Sequence, residues 1–279
     1  MHPIISRLLA RKDLKVPVND GRRVALVLFG GLMVGVRGAG SLTALQELGL
    51  TGAFDEIYAM STGFSNGSSF LAGEAHKTAA IFYNKLSGCR FLNPLRVWKI
   101  ADIDYLLEVV EETSFDFARI LASRTKLYSM LVNVSNKRKL EFLEAHDYGL
   151  EGYGRLLRAS FSVKLIGGGS VRIGESLYRD LITDQAITDF FAHVLACGAT
   201  DILVIYNYPW QRSHIHEHFP ALDMERIYEI CPDVGSVWTG PLQKFARFDT
   251  RREILLKECR IFGDETKKIF GSTEPVSLL

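Results

Sequence analysis

The chain alternates short apolar runs with segments in which apolar residues recur at helical spacing. The first run, 24–29, is continuous, as expected of a strand buried on both faces of a sheet, and it stops at Gly30. Ala39, Leu42 and Leu45 then share one face of a helix. Further strands are predicted at 56–60, 126–134, 139–143, 171–173, 176–178, 201–206 and 226–230, with helices between them. This alternation predicts an α/β fold in three layers, α/β/α, with a mainly parallel central sheet.

No internal repeat, low-complexity tract or Pro/Ser-rich linker divides the sequence. We therefore predict a single domain over 1–279, with a core at about 23–210 and a C-terminal extension of the same domain at 211–279. Residues 1–20 are predicted to be a loosely attached lead-in.

Composition excludes several classes of protein. An apolar fraction of 47% with 23% charged residues is ordinary for a soluble globular protein, and a net charge of +1 gives no basis for nucleic-acid binding. The four cysteines lack C-x-x-C spacing, which argues against a zinc site and a disulfide scaffold. The longest apolar run, 24–36, is too short to span a membrane and contains three glycines. The expected location is cytoplasmic, with any lipid met at a membrane surface.

Candidate chemistry lies where the first two strands end, because ligands of open α/β sheets bind outside the carboxyl ends of the strands. A glycine-rich turn at 30–38 opens one helix, and Ser61 stands on the turn into the next. Each signal has a plainer interpretation. Serine is a common helix N-cap, and the glycine-rich turn could bind a nucleotide phosphate, although its spacing is neither G-x-G-x-x-G nor a P-loop.

Taken in order, the motifs resemble those of the patatin-like phospholipases. Gly-Gly-Leu-Met-Val-Gly at 30–35 is similar to the glycine-rich first block of that family, and Ala-Met-Ser-Thr-Gly at 59–63 is similar to its G-x-S-x-G block. Tyr-Arg-Asp at 178–180 stands where family members carry the aspartate of their last motif. The resemblance covers about 23–210 and is loose beyond it.

The resemblance implies a fold, a reaction and a set of site residues. Ser61 would attack an ester carbonyl, and Asp180 would take its proton without an intervening histidine. Backbone N–H groups at Gly30, Gly31 and Leu32 would form the oxyanion hole. The substrate would be a lipid or small ester, and neither a metal nor a cofactor would be required.

The sequence also departs from the family pattern. The departures are Leu32 for the third glycine, Val34 for an arginine, Ala59 for the first elbow glycine, Lys164 for a proline, and Leu181 and Ile182 for the glycines after the aspartate. A second interpretation is therefore a catalytically weak or inactive lipid-binding or regulatory protein on the same fold. A third is phosphate or nucleotide binding at the turn of 30–38.

Other acidic residues and a group of histidines are weaker candidates for the site. Asp184 is an alternative base, and Asp189 is expected to sit at a helix N-terminus. His214, His216 and His218 are predicted to form a solvated cluster in a loop, without a metal.

Two aromatic segments offer a place for peripheral membrane contact. Trp98 with Leu95 and Val97, and Trp238 with Val237, could form an apolar rim that meets lipid. Core packing is an equal alternative for both tryptophans.

Overall fold

A computed structural model describes residues 1–14, 19–93, 95–96, 99–113, 116–181, 183–235, 240–272 and 274–278. In these residues, eight strands form one sheet. The strands are β1 (Val24–Leu28), β2 (Glu56–Met60), β3 (Lys126–Asn133), β4 (Lys139–Glu144), β5 (Val171–Ile173), β6 (Ser176–Arg179), β7 (Asp201–Ile205) and β8 (Ile227–Ile230). The α-helices are α1 (Pro3–Ala10), α2 (Gly35–Glu47), α3 (Thr62–Leu71), α4 (Ala75–Ala80), α5 (Ile103–Glu112), α6 (Phe117–Ala122), α7 (Leu150–Phe161), α8 (Asp184–Ala196), α9 (Pro209–His218) and α10 (Arg252–Ile269).

The strand order is β5-β6-β3-β2-β1-β7-β8, with β4 paired to β3 off this path. Strands β3, β2, β1, β7 and β8 run parallel, whereas β4, β5 and β6 add antiparallel pairs at one end. The predicted mainly parallel sheet is confirmed. Because β1 has β2 on one side and β7 on the other, the carboxyl ends of these strands border the crevice in which ligands of such sheets bind.

The central strand β1 shows why the fold has three layers. Leu26 and Leu28 pack into an apolar core on one face of the sheet, which also contains side chains of α2, α3, α7 and α10. Ala25 and Val27 pack into a second core with α8 and α9. A strand covered on both faces must be apolar throughout, as the run at 24–29 indicated.

The N-terminal segment is part of the core, and the prediction of a loose lead-in is wrong. In α1, Ile4, Ile5 and Leu8 are buried against the sheet. Just beyond the helix, the buried guanidinium of Arg11 pairs with Asp55 at 2.8 Å. The lead-in was misjudged because three apolar residues in a short helix give only a weak periodic signal.

The C-terminal helix α10 packs along α2. A buried ion pair joins them, in which Arg37 Nη2 and Nε donate to the Glu258 carboxylate at 2.6 and 2.9 Å. The third donor of that guanidinium, Nη1, reaches the carbonyl oxygen of Asn207 at 2.6 Å. The helix that begins at the glycine-rich turn is thereby tied both to α10 and to the end of β7.

Across the described ranges, we find no helix with the length and apolarity needed to cross a lipid bilayer.

Candidate functional site

The sheet brings Ser61 and Asp180 to the same place. Strand β4 occupies one edge of β3. On the opposite edge, β2 pairs as far as Met130 and β6 pairs from Val132 onward. Ser61 follows the last residue of β2, and Asp180 follows the last residue of β6. When the pairing of each strand with β3 is extended by one residue, both Ser61 and Asp180 lie opposite Leu131. Two segments that are far apart in sequence therefore deliver the hydroxyl and the carboxylate to one point.

Ser61 stands on a strained turn between β2 and α3. Its backbone has φ 52° and ψ −129°, a conformation that costs a non-glycine residue on the order of 1–3 kcal/mol. The turn packs tightly: a Cβ on Gly63 would lie 2.5 Å from the carbonyl oxygen of Leu28, and one on Gly30 would lie 2.5 Å from the Ser61 Cβ. Ser61 occupies the N-cap position of α3, but its side chain makes no capping hydrogen bond. The interpretation of Ser61 as an ordinary N-cap is therefore wrong.

The glycine-rich turn lies directly against this serine. After Gly30, Gly31 has φ 159° and Leu32 has φ 53°. A left-handed leucine costs on the order of 1–2 kcal/mol, so the turn is strained at Leu32. Among the described residues, no group accepts a hydrogen bond from the N–H of Gly31 or Leu32. These two donors are free for a ligand.

Side chains after β7 hold the turn in place, and sequence reasoning missed them. Asn207 Nδ2 donates to the carbonyl oxygens of Phe29 at 2.6 Å and Gly30 at 3.2 Å, while its Oδ1 accepts from the Gly38 N–H at 3.0 Å. Gln211 Nε2 adds a bond to the Gly30 carbonyl at 3.3 Å. With the carbonyls occupied, the peptide groups of the turn are fixed in orientation. The position of Asn207 at the carboxyl end of a strand beside β1 was the available signal.

Asp180 is a buried carboxylate, 1% exposed, at the end of β6. Its Oδ1 accepts from the Leu181 N–H at 2.8 Å, and its own N–H donates to the carbonyl of Ser162 at 3.1 Å. Its Oδ2 has no hydrogen-bond partner among the described residues. Burial raises the pKa of Asp180 to about 7, opposed in part by the nearby Ser61 hydroxyl and by the Leu181 N–H. The carboxyl group thus titrates near neutral pH.

An apolar pocket opens from Ser61 into the helical layer. It has about 670 Å³ of empty space, counting the part open to solvent, and it is narrow. Its wall is formed by side chains of α3, α5, α6 and α7 and of the segment after α4, including Phe82, Ile103, Leu106, Val110, Ile120, Leu157 and Phe161. Three serines also line it, but their hydroxyls donate back to carbonyls of α3, Ser65 to Thr62, Ser68 to Phe64 and Ser69 to Asn66. The pocket therefore offers a mostly apolar surface to its contents.

The remaining predicted residues lie away from this centre. Asp184, at the start of α8, is exposed. Asp189 is exposed on the second turn of the same helix, so its prediction at a helix N-terminus is wrong; it accepts a hydrogen bond from Gln185 at 2.7 Å. Neither lines the pocket of Ser61. Asp180 is the carboxylate that the fold places beside the serine.

The histidine cluster is on helix α9, so its prediction as a loop is wrong. His216 contacts the Glu229 carboxylate at 2.9 Å, and His214 contacts Thr188. In the described part of the chain, no group of three or more His, Cys, Asp and Glu side chains is arranged to hold a metal ion.

The proposed aromatic rim falls largely outside the described residues, which exclude Val97, Trp98, Val237 and Trp238. Its one described member, Leu95, is 87% exposed.

Comparison with known proteins gives a likeness of fold. No family model matches the chain, and no curated protein matches it in sequence. Human GIVD cytosolic phospholipase A2, solved with methyl gamma-linolenyl fluorophosphonate, aligns at TM-score 0.51 and 11% identity over 96% of this chain and 62% of that one. The two share a fold. The same human enzyme with terbium chloride also present aligns at TM-score 0.48 and 13% identity, again over 96% and 62%. VipD from Legionella pneumophila aligns at TM-score 0.44 and 8% identity over 85% and 66%. The chain thus spans less than two thirds of these proteins.

Proposed function

We propose that the chain is a lipid acyl hydrolase in which Ser61 is the nucleophile and Asp180 its base. The observation that carries the proposal is the meeting, opposite Leu131, of a hydroxyl on a strained turn and a buried carboxylate whose Oδ2 has no partner among the described residues. Strained backbone at a pocket mouth is typical of catalytic turns, where a sharp strand-to-helix turn exposes the nucleophile.

The proposed reaction proceeds through an acyl-enzyme. Ser61 Oγ forms a bond to the ester carbonyl carbon while its proton passes to Asp180 Oδ2. The carbonyl oxygen, now an oxyanion, accepts hydrogen bonds from the free N–H groups of Gly31 and Leu32. One such donor stabilises the transition state by about 3 kcal/mol. The ester C–O bond then breaks, and the leaving alcohol takes the proton from Asp180. Water repeats the sequence on the acyl-enzyme and releases the acid.

The burial of Asp180 makes direct proton transfer chemically reasonable. An ordinary carboxylate is too weak a base to deprotonate a hydroxyl efficiently at neutral pH. With a pKa of about 7, Asp180 is as basic as a typical catalytic histidine while about half of it remains ionised at pH 7. The N-terminus of α3, at Ser61, adds a partial positive charge that favours the developing anion.

Two features support a lipid ester as substrate. The pocket that opens from Ser61 is lined mostly by apolar side chains, and the hydroxyls of Ser65, Ser68 and Ser69 bond back to helix carbonyls, so it suits an acyl chain. The resemblance of the motifs to patatin-like phospholipases, with a fold shared by an enzyme named as a phospholipase A2, points to the same class.

The test is hydrolysis of a p-nitrophenyl ester and a fluorogenic phospholipid, together with labelling by a fluorophosphonate probe. We expect Ser61→Ala to abolish both turnover and labelling. Ser41→Ala is the matched control, because Ser41 is equally buried but bonds to the Phe262 carbonyl in the α2–α10 interface, away from the site. A folded wild type that neither turns over nor labels, or labelling that survives Ser61→Ala, would contradict the proposal.

A second candidate function is lipid binding without turnover. The observation that favours it is that no hydrogen bond of ordinary length joins Ser61 to Asp180 Oδ2, although the hydroxyl lies near enough to lower the pKa of the carboxyl, together with the strained Leu32. Catalytic hydrogen bonds are often long before substrate binds, so the geometry is compatible with both functions. Binding of a fluorescent fatty acid to a wild type that shows no turnover would establish the second.

A further inference from the structure

A second pocket lies on the Asp180 side of the crevice, and it shares Leu32 with the apolar pocket of Ser61. Its empty space is about 1060 Å³, counting the part open to solvent. The two pockets therefore flank the strained turn. In the proposed reaction, the acyl chain occupies the first pocket, so the alcohol part of the ester must leave through the second.

The second pocket is lined by basic side chains. Arg138, Lys164, Arg179 and Arg247 stand around it, and Asp180 is its one carboxylate among the described residues. About one residue in eight of the whole chain is Lys or Arg, whereas these are four of the eleven residues that line this pocket. Since the net charge of the chain is only +1, the concentration of cations is a property of this pocket and not of the composition.

These four cations come from separate segments. Arg138 lies in the turn between β3 and β4 with φ 60°, Arg179 ends β6, and Lys164 follows α7. Arg247 precedes α10, and its guanidinium lies 5.7 Å from the centre of the Tyr208 ring. Because the four cations lie on four different segments of the fold, a single basic helix does not account for the charge of this pocket.

Among the described residues, these four cations have no carboxylate as a counterion. Within the described ranges, none of the four forms an ion pair with a carboxylate, whereas arginines elsewhere on the surface do, such as Arg155 with Glu151 and Arg212 with Glu229. Four cations and one carboxylate leave a net positive charge in the lining of this pocket, which a bound anion would balance through charge-assisted hydrogen bonds.

We propose that this pocket binds the phosphate of an anionic lipid head group and selects such lipids over zwitterionic ones. The inference rests on the proposed function. Guanidinium groups donate parallel hydrogen bonds to phosphate oxygens. A zwitterionic head group would also place its ammonium group among four cations, which repel it. Asp180 is the one described carboxylate in the lining that could pair with that ammonium. The ester next to the phosphate then lies at Leu32 and Ser61.

The test uses short-chain lipids below their micelle concentration, so that attraction to a charged surface plays no part. We compare dihexanoyl phosphatidylglycerol, dihexanoyl phosphatidylcholine and p-nitrophenyl butyrate. The variant is Arg138→Gln with Lys164→Gln, since both side chains are exposed and unpaired. Arg155→Gln is the matched control: an exposed arginine on α7 that pairs with Glu151.

We expect the double variant to lose kcat/KM for phosphatidylglycerol by about tenfold or more, as for the loss of two charge-assisted hydrogen bonds partly exposed to solvent. The butyrate ester should change by less than about twofold, and the control should behave as the wild type. An equal loss on all three substrates, or no loss on phosphatidylglycerol, overturns the proposal. Hydrolysis of long-chain phosphatidylglycerol in vesicles is measured as a fourth arm, and a loss that appears only there overturns the proposal too, because the cations then attract the membrane surface.

Binding to Ser61→Ala separates this proposal from the proposed function, because it requires no turnover. Calorimetry with dihexanoyl phosphatidylglycerol should show binding that weakens about tenfold when Arg138→Gln and Lys164→Gln are added. Inorganic phosphate is the second ligand: if it binds to the same cations while the lipid does not, the pocket serves free phosphate and the head-group proposal is wrong. Binding in Ser61→Ala without hydrolysis by the wild type would refute the reaction alone.

Discussion

Replacing Asp180 with asparagine should stabilise the protein, and by an amount that grows with pH. The carboxyl is 1% exposed, and its Oδ2 has no hydrogen-bond partner among the described residues. Asparagine keeps the oxygen that accepts the Leu181 N–H. It removes the charge that the folded state must carry without water when the aspartate ionises.

The magnitude follows from the raised pKa of Asp180. In the unfolded chain the carboxyl loses its proton near pH 3.8, whereas in the folded chain it holds the proton until about pH 7. Between these values the folded state binds more protons, so stability falls by about 1.4 kcal/mol per pH unit as pH rises. The full cost is about 4 kcal/mol above pH 7, and about 3 kcal/mol of it accrues between pH 5 and pH 8. Below pH 3.8 the group contributes nothing.

Urea unfolding of wild type and Asp180→Asn at pH 5 and pH 8 measures this difference directly. Groups that titrate alike in both proteins cancel, so the advantage of the variant should increase by about 3 kcal/mol between the two pH values. The same pKa should appear in activity, with kcat/KM of the wild type rising to a plateau above about pH 7 as the base ionises. An advantage that is equal at pH 5 and pH 8 would refute the assignment of Asp180 as a buried, unpaired carboxylate.

Three further changes test the surroundings of the site. Ser61→Gly should be about 1 kcal/mol more stable than Ser61→Ala by thermal or urea unfolding, because only glycine relaxes at φ 52° and ψ −129°; equal stabilities would contradict the strain. Glu258→Ala should lower the free energy of unfolding by about 3–5 kcal/mol, because it leaves Arg37 buried and unpaired, and the double variant Arg37→Met with Glu258→Leu should lower it by less. Urea unfolding in which the double variant is the less stable of the two would contradict a costly buried charge. Asn207→Leu should lower kcat by about tenfold or more with little change in KM in steady-state hydrolysis, since the turn of Gly30 loses its restraint; a change in KM alone would place Asn207 in substrate binding instead.

The sheet was the most predictable part of the fold. Strand β2 coincides with the predicted 56–60, where four apolar residues follow Glu56, and β5 coincides with 171–173, where apolar and polar residues alternate after a run of glycines. Helix α1 and helix α9 were missed or misplaced. The first is short, and the second carries three histidines and little apolar periodicity, so its helical structure depends on packing against α8.

The residues of the candidate site could be predicted from the sequence, but the strand pairing and the hydrogen bonds that position them could not. Ser61 and Asp180 could be selected because both follow strands, and their motifs resemble a known family. Their meeting depends on β2 and β6 sharing one edge of β3, and an antiparallel pairing of that kind leaves no local mark on the sequence. The groups that hold the turn lie far away in the chain, beyond any local pattern: Asn207 is 178 residues from Phe29, and Glu258 is 221 residues from Arg37.

The distribution of backbone strain argues that the crevice is a functional site and not only a fold feature. Among the described non-glycine residues with positive φ, three lie in exposed turns, where water and freedom of movement make such geometry inexpensive: Asp13, Lys137 and Arg138. The other two, Leu32 and Ser61, are buried and both line the apolar pocket. A buried carboxylate that titrates near neutral pH lies beside them. Three separately unfavourable features at one point persist only where the surrounding structure holds them, as Asn207 and the Arg37–Glu258 pair do here. A chain selected for stability alone would have no reason to keep all three.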